Sequence, residues 1–273
     1  MSRITIYKHE IFVARKRDRY PVTQCGVVFI REGTLSYKTR DEKKYQLNAG
    51  EFTIYHSDQL RELESFTNDG RFLADVITFE PSLFRQFCDT FSSSNQSIAE
   101  LDHEVFSLNS NHQTAMETLL LLIKTKQSEN ISELTLEALA QALLFEIIHI
   151  APNLQPLVRS ACNQNTAQKV IGFIELNIEN DVSLEMTAHF LGMSIATLKR
   201  RLAAEDLSFS QILKVKRVNH AATKLRLSNK SIAQIAFESG FKSAAHFSTA
   251  FKGVQGMTPK EFRQHITQRS PSK

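Results

Sequence analysis

The chain has 273 residues, of which 42% are hydrophobic, enough to bury a sizeable core and to make about two domains. Three cysteines, Cys25, Cys88 and Cys162, odd in number and far apart in the sequence, exclude a disulfide framework or a CxxC metal site. The formal charge is only +4, but it is unevenly placed: residues 167–273 carry 16 Lys+Arg against 8 Asp+Glu, and the remainder 17 against 21.

The first eighty residues read as strands. Val27-Val28-Phe29-Ile30 is a compact apolar run, Gly33 marks a turn, and Leu35, Tyr37 and Thr39 alternate with polar neighbours. Tyr45 and Leu47 alternate again, Asn48-Ala49-Gly50-Glu51 makes a further turn, and Phe52, Ile54 and the Phe72 to Phe79 segment continue the pattern up to Pro81. Several short strands joined by turns predict a small barrel or sandwich.

From Pro81 to about Ile150 the apolar spacing becomes helical. Met116, Leu119, Leu120 and Ile123 form one stripe, and Leu136, Leu139, Leu143 and Ile147 another, with Ser132 and Glu133 suited to the start of the second helix. Leu121, Leu122, Leu144 and Ile148 exceed what one core stripe needs, so these helices require a further surface: the barrel, or a second copy of the chain in a homodimer. Ala151 to Thr166, with Pro152, Pro156 and five Asn or Gln, reads as a linker.

Beyond it a helix over Gln168 to Asn177 buries Val170, Ile171 and Ile174, with Ile178 following. Two copies of one device come next. Ser183 to Ser194, with its turn at Gly192, running into Ile195 to Leu202 makes the first; Ser231 to Phe241, with its turn at Gly240, followed by Lys242 to Lys252 makes the other. Each glycine stands where the leading helix must stop and a positive φ is needed. These are two helix-turn-helix units. A helix over Ser208 to Leu227, striped by Phe209, Ile212, Val215, Val218, Ala222 and Leu225, joins them. At 1.5 Å per residue it spans roughly 30 Å, close to the roughly 34 Å of one DNA turn. The basic charge of this half favours phosphate through counterion release.

Helical geometry then selects the residues that face DNA. Leu198 and Leu202 must turn inward, which turns Ala196, Lys199, Arg200 and Ala203 outward, with Arg200 best suited to a bidentate guanine contact. In the second unit Phe247 and Phe251 are core, leaving Ala244, Ala245, Ser248 and Thr249 outward, with Lys242 and Lys252 near phosphates. Unit one reads as the sequence reader and unit two as a positioning clamp on double-stranded DNA. No phosphate-cradling glycine loop, no GxSxG elbow and no HExxH is present, and the nine histidines form no i,i+4 pair, so neither an enzyme nor a metal is expected. The longest apolar run is Leu119 to Ile123, and Ile11 to Ala14 is too short for a signal-peptide core, so a cytoplasmic location away from membrane is expected.

Ile232, Ile235, Ala236, Gly240, Phe241, Ser243, Phe247, Phe251, Lys252, Gly256, Pro259, Phe262 and Arg263 follow the C-terminal signature of the AraC/XylS family of bacterial transcription regulators. Leu184, Ala188, Leu191, Gly192, Ser194, Leu198, Arg217 and Ala221 resemble its first half. Thr197 to Leu202 and Phe247-Ser248-Thr249 are similar to the branch of enteric virulence activators that includes ToxT and HilD. Departures are Asp206 in place of a usual glycine, Thr187 in place of an aliphatic, His246 in place of Tyr and Thr249 in place of Arg.

The resemblance implies an α+β chain: a cupin-like sensor and dimerisation β-barrel with helices over 1–160, and an all-α DNA-binding domain over 167–273. It also implies an activator of virulence or host-adaptation genes that engages RNA polymerase, without a catalytic role. The basic residues Arg15, Lys16, Arg17, Arg19 and Arg31, with Lys214 and Lys216 on the connecting helix, are then candidates for holding a small anionic effector such as a fatty acid. The alternatives are a ligand-independent or architectural DNA-binding protein and a cupin-type enzyme; an architectural protein would show little sequence preference.

Overall fold

The computed structural model describes residues 3–17, 25–39, 42–56, 61–90, 104–109, 111–127 and 131–269. They fall into two compact units, 1–163 and 164–273.

The first unit holds eight strands: β1 (Ile4–Ile11), β2 (Arg15–Arg17), β3 (Gly26–Glu32), β4 (Thr34–Lys38), β5 (Lys44–Asn48), β6 (Phe52–Tyr55), β7 (Arg61–Phe66) and β8 (Phe72–Phe79). They form two four-stranded antiparallel sheets, ordered β1-β8-β3-β6 and β2-β7-β4-β5. The two sheets stay open, within the small barrel or sandwich that the strand pattern predicts. Helices follow: α1 (Pro81–Thr90), α2 (Gln113–Lys126), α3 (Glu133–Ile150), a 3-10 turn (Pro152–Leu154) and α4 (Gln155–Ser160).

The apolar run Val27 to Ile30 has a direct structural cause. Val28 and Ile30 pack with Leu35, Tyr37, Leu47 and Phe72 between the sheets. Val27 and Phe29 point the other way, into a core shared with Leu83, Phe84, Met116, Leu119, Leu143 and Ile147 of the helices. A strand buried on both faces loses its alternation, and β3 is such a strand. The edge of the first sheet is covered too: Phe106 exchanges backbone hydrogen bonds with Phe52 of β6 (2.8 and 2.9 Å), and their rings stack at 4.8 Å.

Most of the surplus leucines find their partner in this layer. Leu122, Leu144 and Ile148 are fully buried in the helix and sheet core, whereas Leu121 and Leu134 stay exposed. Ser132 caps α3, accepting from the Leu134 amide at 3.2 Å. The segment read as a linker is structured: Pro152 and Pro156 each start a helical turn, where a missing N–H costs nothing, and Leu154, Leu157 and Val158 are buried. Cysteines distant in sequence also meet. Cys88 of α1 and Cys162 lie 3.5 Å apart, sulfur to sulfur, as free thiols, and burial pushes the Cys88 thiol up to about 12.

The second unit is all helix: α5 (Thr166–Leu176), α6 (Leu184–Phe190), α7 (Ile195–Ala204), α8 (Phe209–Leu227), α9 (Ile232–Glu238), α10 (Ala244–Gln255) and α11 (Pro259–Arg269). The sequence places serines or asparagine at its helix starts, and they act there. Asn165, Ser208 and Ser231 each form a reciprocal capping box with a Gln three residues on, and Ser183, Ser194 and Ser243 cap α6, α7 and α10. Helix α8 is the spine. It packs against α5 at one end and α9, α10 and α11 toward the other, burying Ile212, Val215, Val218, Ala221, Ala222 and Leu225.

Candidate nucleic-acid interface

The two helix-turn-helix units use the same local device. In the first, α6 ends at Gly192 with φ +64°, and the Met193 amide returns to the Ala188 carbonyl at 2.9 Å. In the second, α9 ends at Gly240 with φ +78°, and the Phe241 amide returns to Ala236 at 3.0 Å. This backbone closure requires a residue free to adopt positive φ. Thr187, unusual in an apolar position, is fully buried and satisfied: its hydroxyl donates to the Ser183 carbonyl at 2.8 Å. Asp206 adopts φ +54° after α7, the backbone state that explains why a glycine is usual there.

Helix α7 buries Leu198 and Leu202 and exposes Ala196, Lys199, Arg200 and Ala203. At about 100° per residue, Arg200 stands roughly opposite the midline of the two leucines. Its guanidinium makes no hydrogen bond or ion pair among the described residues, and Lys199 is exposed, with the Glu185 carboxylate of α6 nearby. Arg201, passed over in the sequence reading, is exposed beside them with its guanidinium 3.8 Å from the Met193 sulfur. The face is cationic and unscreened by carboxylates of its own helix.

Helix α10 buries Phe247, Ala250, Phe251 and Val254, which leaves Ala245, Thr249 and Lys252 exposed and Ala244 and Ser248 half-buried at the margin. The Ser248 hydroxyl donates to the Ala244 carbonyl at 2.9 Å, so its proton is already committed. Lys242 is solvent-exposed but pairs with Asp181 at 3.0 Å. Chemically, this surface offers methyl groups, one free hydroxyl and flanking cations, a set suited to backbone contact more than to base hydrogen bonds.

Contacts far apart in sequence hold the unit together, and periodicity gave no sign of them. The Glu205 carboxylate at the end of α7 accepts the Thr166 and Ala167 amides (2.9 and 3.0 Å), placing an anion on the N-terminus of α5. Glu179 accepts from Lys224, and Lys224 also reaches Glu238. The Lys224 ammonium beside Glu179, and Lys230 with Lys224 beside Glu238, hold both carboxyls below their ordinary range. Burial holds the His220 imidazole below its usual value, with Lys224 adding to the effect.

The cations singled out for an effector are scattered over several environments. Arg15 is half-buried on β2; Lys16 and Arg17 lie on the same strand, and Arg19 lies outside the described residues. Arg31 shares a face with Phe29, its guanidinium 5.0 Å from that ring, and binds the buried Asp75 at 2.5 Å. Lys216 pairs with Glu175 at 2.6 Å, whereas Lys214 is exposed. Burial raises the Tyr37 phenol, which lies between the sheets and stacks on Tyr45 at 5.6 Å. Among the described residues no group of three metal-binding side chains comes together, and no single helix is long and apolar enough to cross a membrane.

Comparison with known proteins meets both units. A helix-turn-helix domain family matches residues 187–265, and an AraC-like ligand-binding domain family matches residues 13–144. An uncharacterized HTH-type transcriptional regulator of Staphylococcus aureus is 27% identical over 250 residues, 90% of this chain and 29% of that protein. This chain thus spans under a third of the length of those staphylococcal relatives. The HTH-type transcriptional regulator AdiY of Escherichia coli K12 is 34% identical over 96 residues, 35% of this chain and 38% of that one. Among solved structures, an apo ToxT variant from Vibrio cholerae matches with a TM-score of 0.68 at 14% identity, covering 97% of this chain and 98% of that chain. Wild-type ToxT bound to an unsaturated fatty acid matches at 0.60 and 14%, covering 98% and 97%. At such identity these structures share the fold. With an AraC-like ligand-binding domain at its N-terminal side and a helix-turn-helix domain, in two capped, glycine-turned units, at its C-terminal side, this chain carries the domain pair of AraC-type regulators.

Proposed function

We propose that this chain activates virulence or host-adaptation genes by sequence-specific binding to double-stranded DNA, together with RNA polymerase. The observation that carries the DNA-reading part is the exposed cationic face of α7, with Arg200 opposite that helix's buried stripe and without an ion pair among the described residues. Lys199 and Arg200 read bases, with Ala196 and Ala203 allowing close approach. Ala244, Ala245, Ser248 and Thr249 position the second unit, and Lys242 and Lys252 hold phosphates. Similarity to a fold solved in ToxT supports the virulence assignment.

The 1–160 region senses a small anionic effector, most simply a fatty acid, and forms a homodimer through its helices. Support comes from the match to AraC-like ligand-binding domains and from the fatty acid seen in ToxT. The cations proposed for the effector in this region are Arg15, Lys16, Arg17, Arg19 and Arg31, of which Arg31 also holds Asp75; on the connecting helix Lys214 and Lys216 are the candidates, of which Lys216 also holds Glu175. An effector shifts DNA binding only through its differential affinity for the competent arrangement, so an inhibitory ligand and DNA must weaken each other.

The test titrates DNA into the full chain and into the 164–273 fragment, each with and without a long-chain fatty acid. The fragment is expected to bind DNA with steep salt dependence, each phosphate contact contributing about 0.9 to the logarithmic slope. Fatty acid should weaken the full chain and spare the fragment. Equal loss in both would indicate denaturation by the lipid; salt-sensitive binding without preference among duplexes would indicate an architectural protein.

A further inference from the structure

A single helix joining two readers leaves them free to pivot at its ends, and α8 is flanked by short connections over residues 205–208 and 228–231. The structure closes that freedom elsewhere. Four consecutive residues of the α5–α6 loop each meet α8 or the second unit. The Ile178 carbonyl lies against Gly240: a Cβ there would stand 2.7 Å from that oxygen and 2.6 Å from Arg217 Nε. The Glu179 carboxylate takes Lys224 at 2.8 Å and faces His220 at 3.4 Å. The Asn180 carbonyl accepts from Arg217 at 3.1 Å. Asp181 pairs with Lys242 at 3.0 Å.

The loop is anchored in the first helix-turn-helix unit. Ile178 and Val182 are buried in its core beside Leu198 and Leu202, and the Asn180 amide turns back to the Asn177 carbonyl at 2.8 Å. Lys224 extends the chain of contacts outward, since its ammonium also binds Glu238 at the end of α9 at 2.9 Å. The parts are unequal. Lys242 and Asp181 are both largely exposed, so salt screens that pair and it contributes little. Arg217 and the side-chain-free approach at Gly240 are packed, and they fix the angle.

We propose that the 178–181 loop, Arg217 and Lys224 form a register clamp, which holds the second turn on the first unit and so sets the spacing at which the two recognition faces meet DNA. Arg217 and Lys224 are positioning residues and need not touch DNA. The inference rests on the DNA-reading function proposed above. It also assigns a function to residues outside both recognition helices. One base pair inserted between two contacted segments rotates them by about 34° and moves them by about 3.4 Å, so a clamped pair of readers must reject insertions that a hinged pair follows.

The test begins with duplexes enriched from a random pool by the full-length chain. Affinities are measured for the best duplex and for derivatives with one to five base pairs inserted between the two protected segments. For wild type the insertions should cost at least about tenfold, the scale of lost specific contacts. Arg217→Met and Lys224→Met keep the apolar stems and remove the clamp; each should bind the parent duplex less tightly and compress the parent-to-insertion ratio toward one, Arg217→Met more strongly. Circular dichroism and thermal melting identify variants that fold, and Lys224→Met, on the rim, keeps the test open if Arg217→Met does not. Wild type tolerating insertions, or folded variants losing affinity equally at every spacing, would overturn the clamp alone. A wild-type chain that enriches no duplex would overturn the DNA-reading function and the clamp with it.

Discussion

The two helix-turn-helix units are built on one local plan and loaded differently. In each, the turn glycine stands nine positions after the capping serine: Ser183 to Gly192, and Ser231 to Gly240. The second turn is then one residue longer, which places Lys242 between Phe241 and the cap Ser243. Around Gly192 nothing approaches within 4 Å of where a Cβ would sit, whereas Gly240 is seated on Arg217 and the Ile178 backbone. Unit one presents a cationic helix face, unit two a nearly neutral one of alanine and threonine. The comparison teaches that identical backbone devices can serve opposite ends: one turn keeps a reading helix clear, the other docks a unit in place.

Alanine at the two glycines sharpens this difference most. Gly192→Ala should destabilise the second unit by about 1–2 kcal/mol, the cost of a left-handed backbone for a residue with Cβ. Gly240→Ala adds a collision with backbone and guanidinium and should cost well over about 3 kcal/mol in total. Urea unfolding of the 164–273 fragment reads both; equal losses would break the distinction between an open and a docked turn.

Next in size is the contrast between the recognition faces. Arg200→Ala should cost about 1–3 kcal/mol on the best duplex and relax preference at one position, while Thr249→Ala should cost less than about 1 kcal/mol. Lys252→Ala should weaken all duplexes alike and lower the salt slope by about 0.9. If Arg200→Ala weakened random and selected DNA equally, unit one would be no reader.

The smallest effect is a dependence on pH at the docked side. His220 has its folded pKa lowered from 6.5 by burial and then Lys224, with Glu179 and Glu238 opposing. The unfolded chain therefore takes the proton first. Stability from this group is fully present above 6.5 and is lost as pH falls below 6.5 toward the folded value. Glu179 and Glu238, depressed from 4.5 by their lysines, keep their contributions until pH falls below that value. The urea midpoint of the fragment should drop between about pH 7 and pH 5.5, and His220→Gln should flatten the drop.

Sequence alone determined the elements whose logic is local. Serines before apolar stripes became caps, the glycines at 192 and 240 became turns, and leucines or phenylalanines at helical spacing set which side of α7 and α10 faces out. Even the unusual Asp206 reported its backbone state through the residue type it displaced. Where the reading erred, local signals pointed the wrong way: two prolines and several amides over 151–166 suggested a linker, though proline also opens helices and Leu154, Leu157 and Val158 carried the packing. Tertiary structure alone decided the openness of the sheets, the approach of Cys88 to Cys162, the seat of Arg31 on Asp75, and the meeting of the 178–181 loop with Arg217, Lys224 and Gly240. Periodicity and capping are encoded within a turn or two of chain, because backbone hydrogen bonds and side-chain direction repeat over that length. Partners such as Asn180 and Arg217, 37 residues apart, leave no repeating trace and become visible only when the core between them has packed.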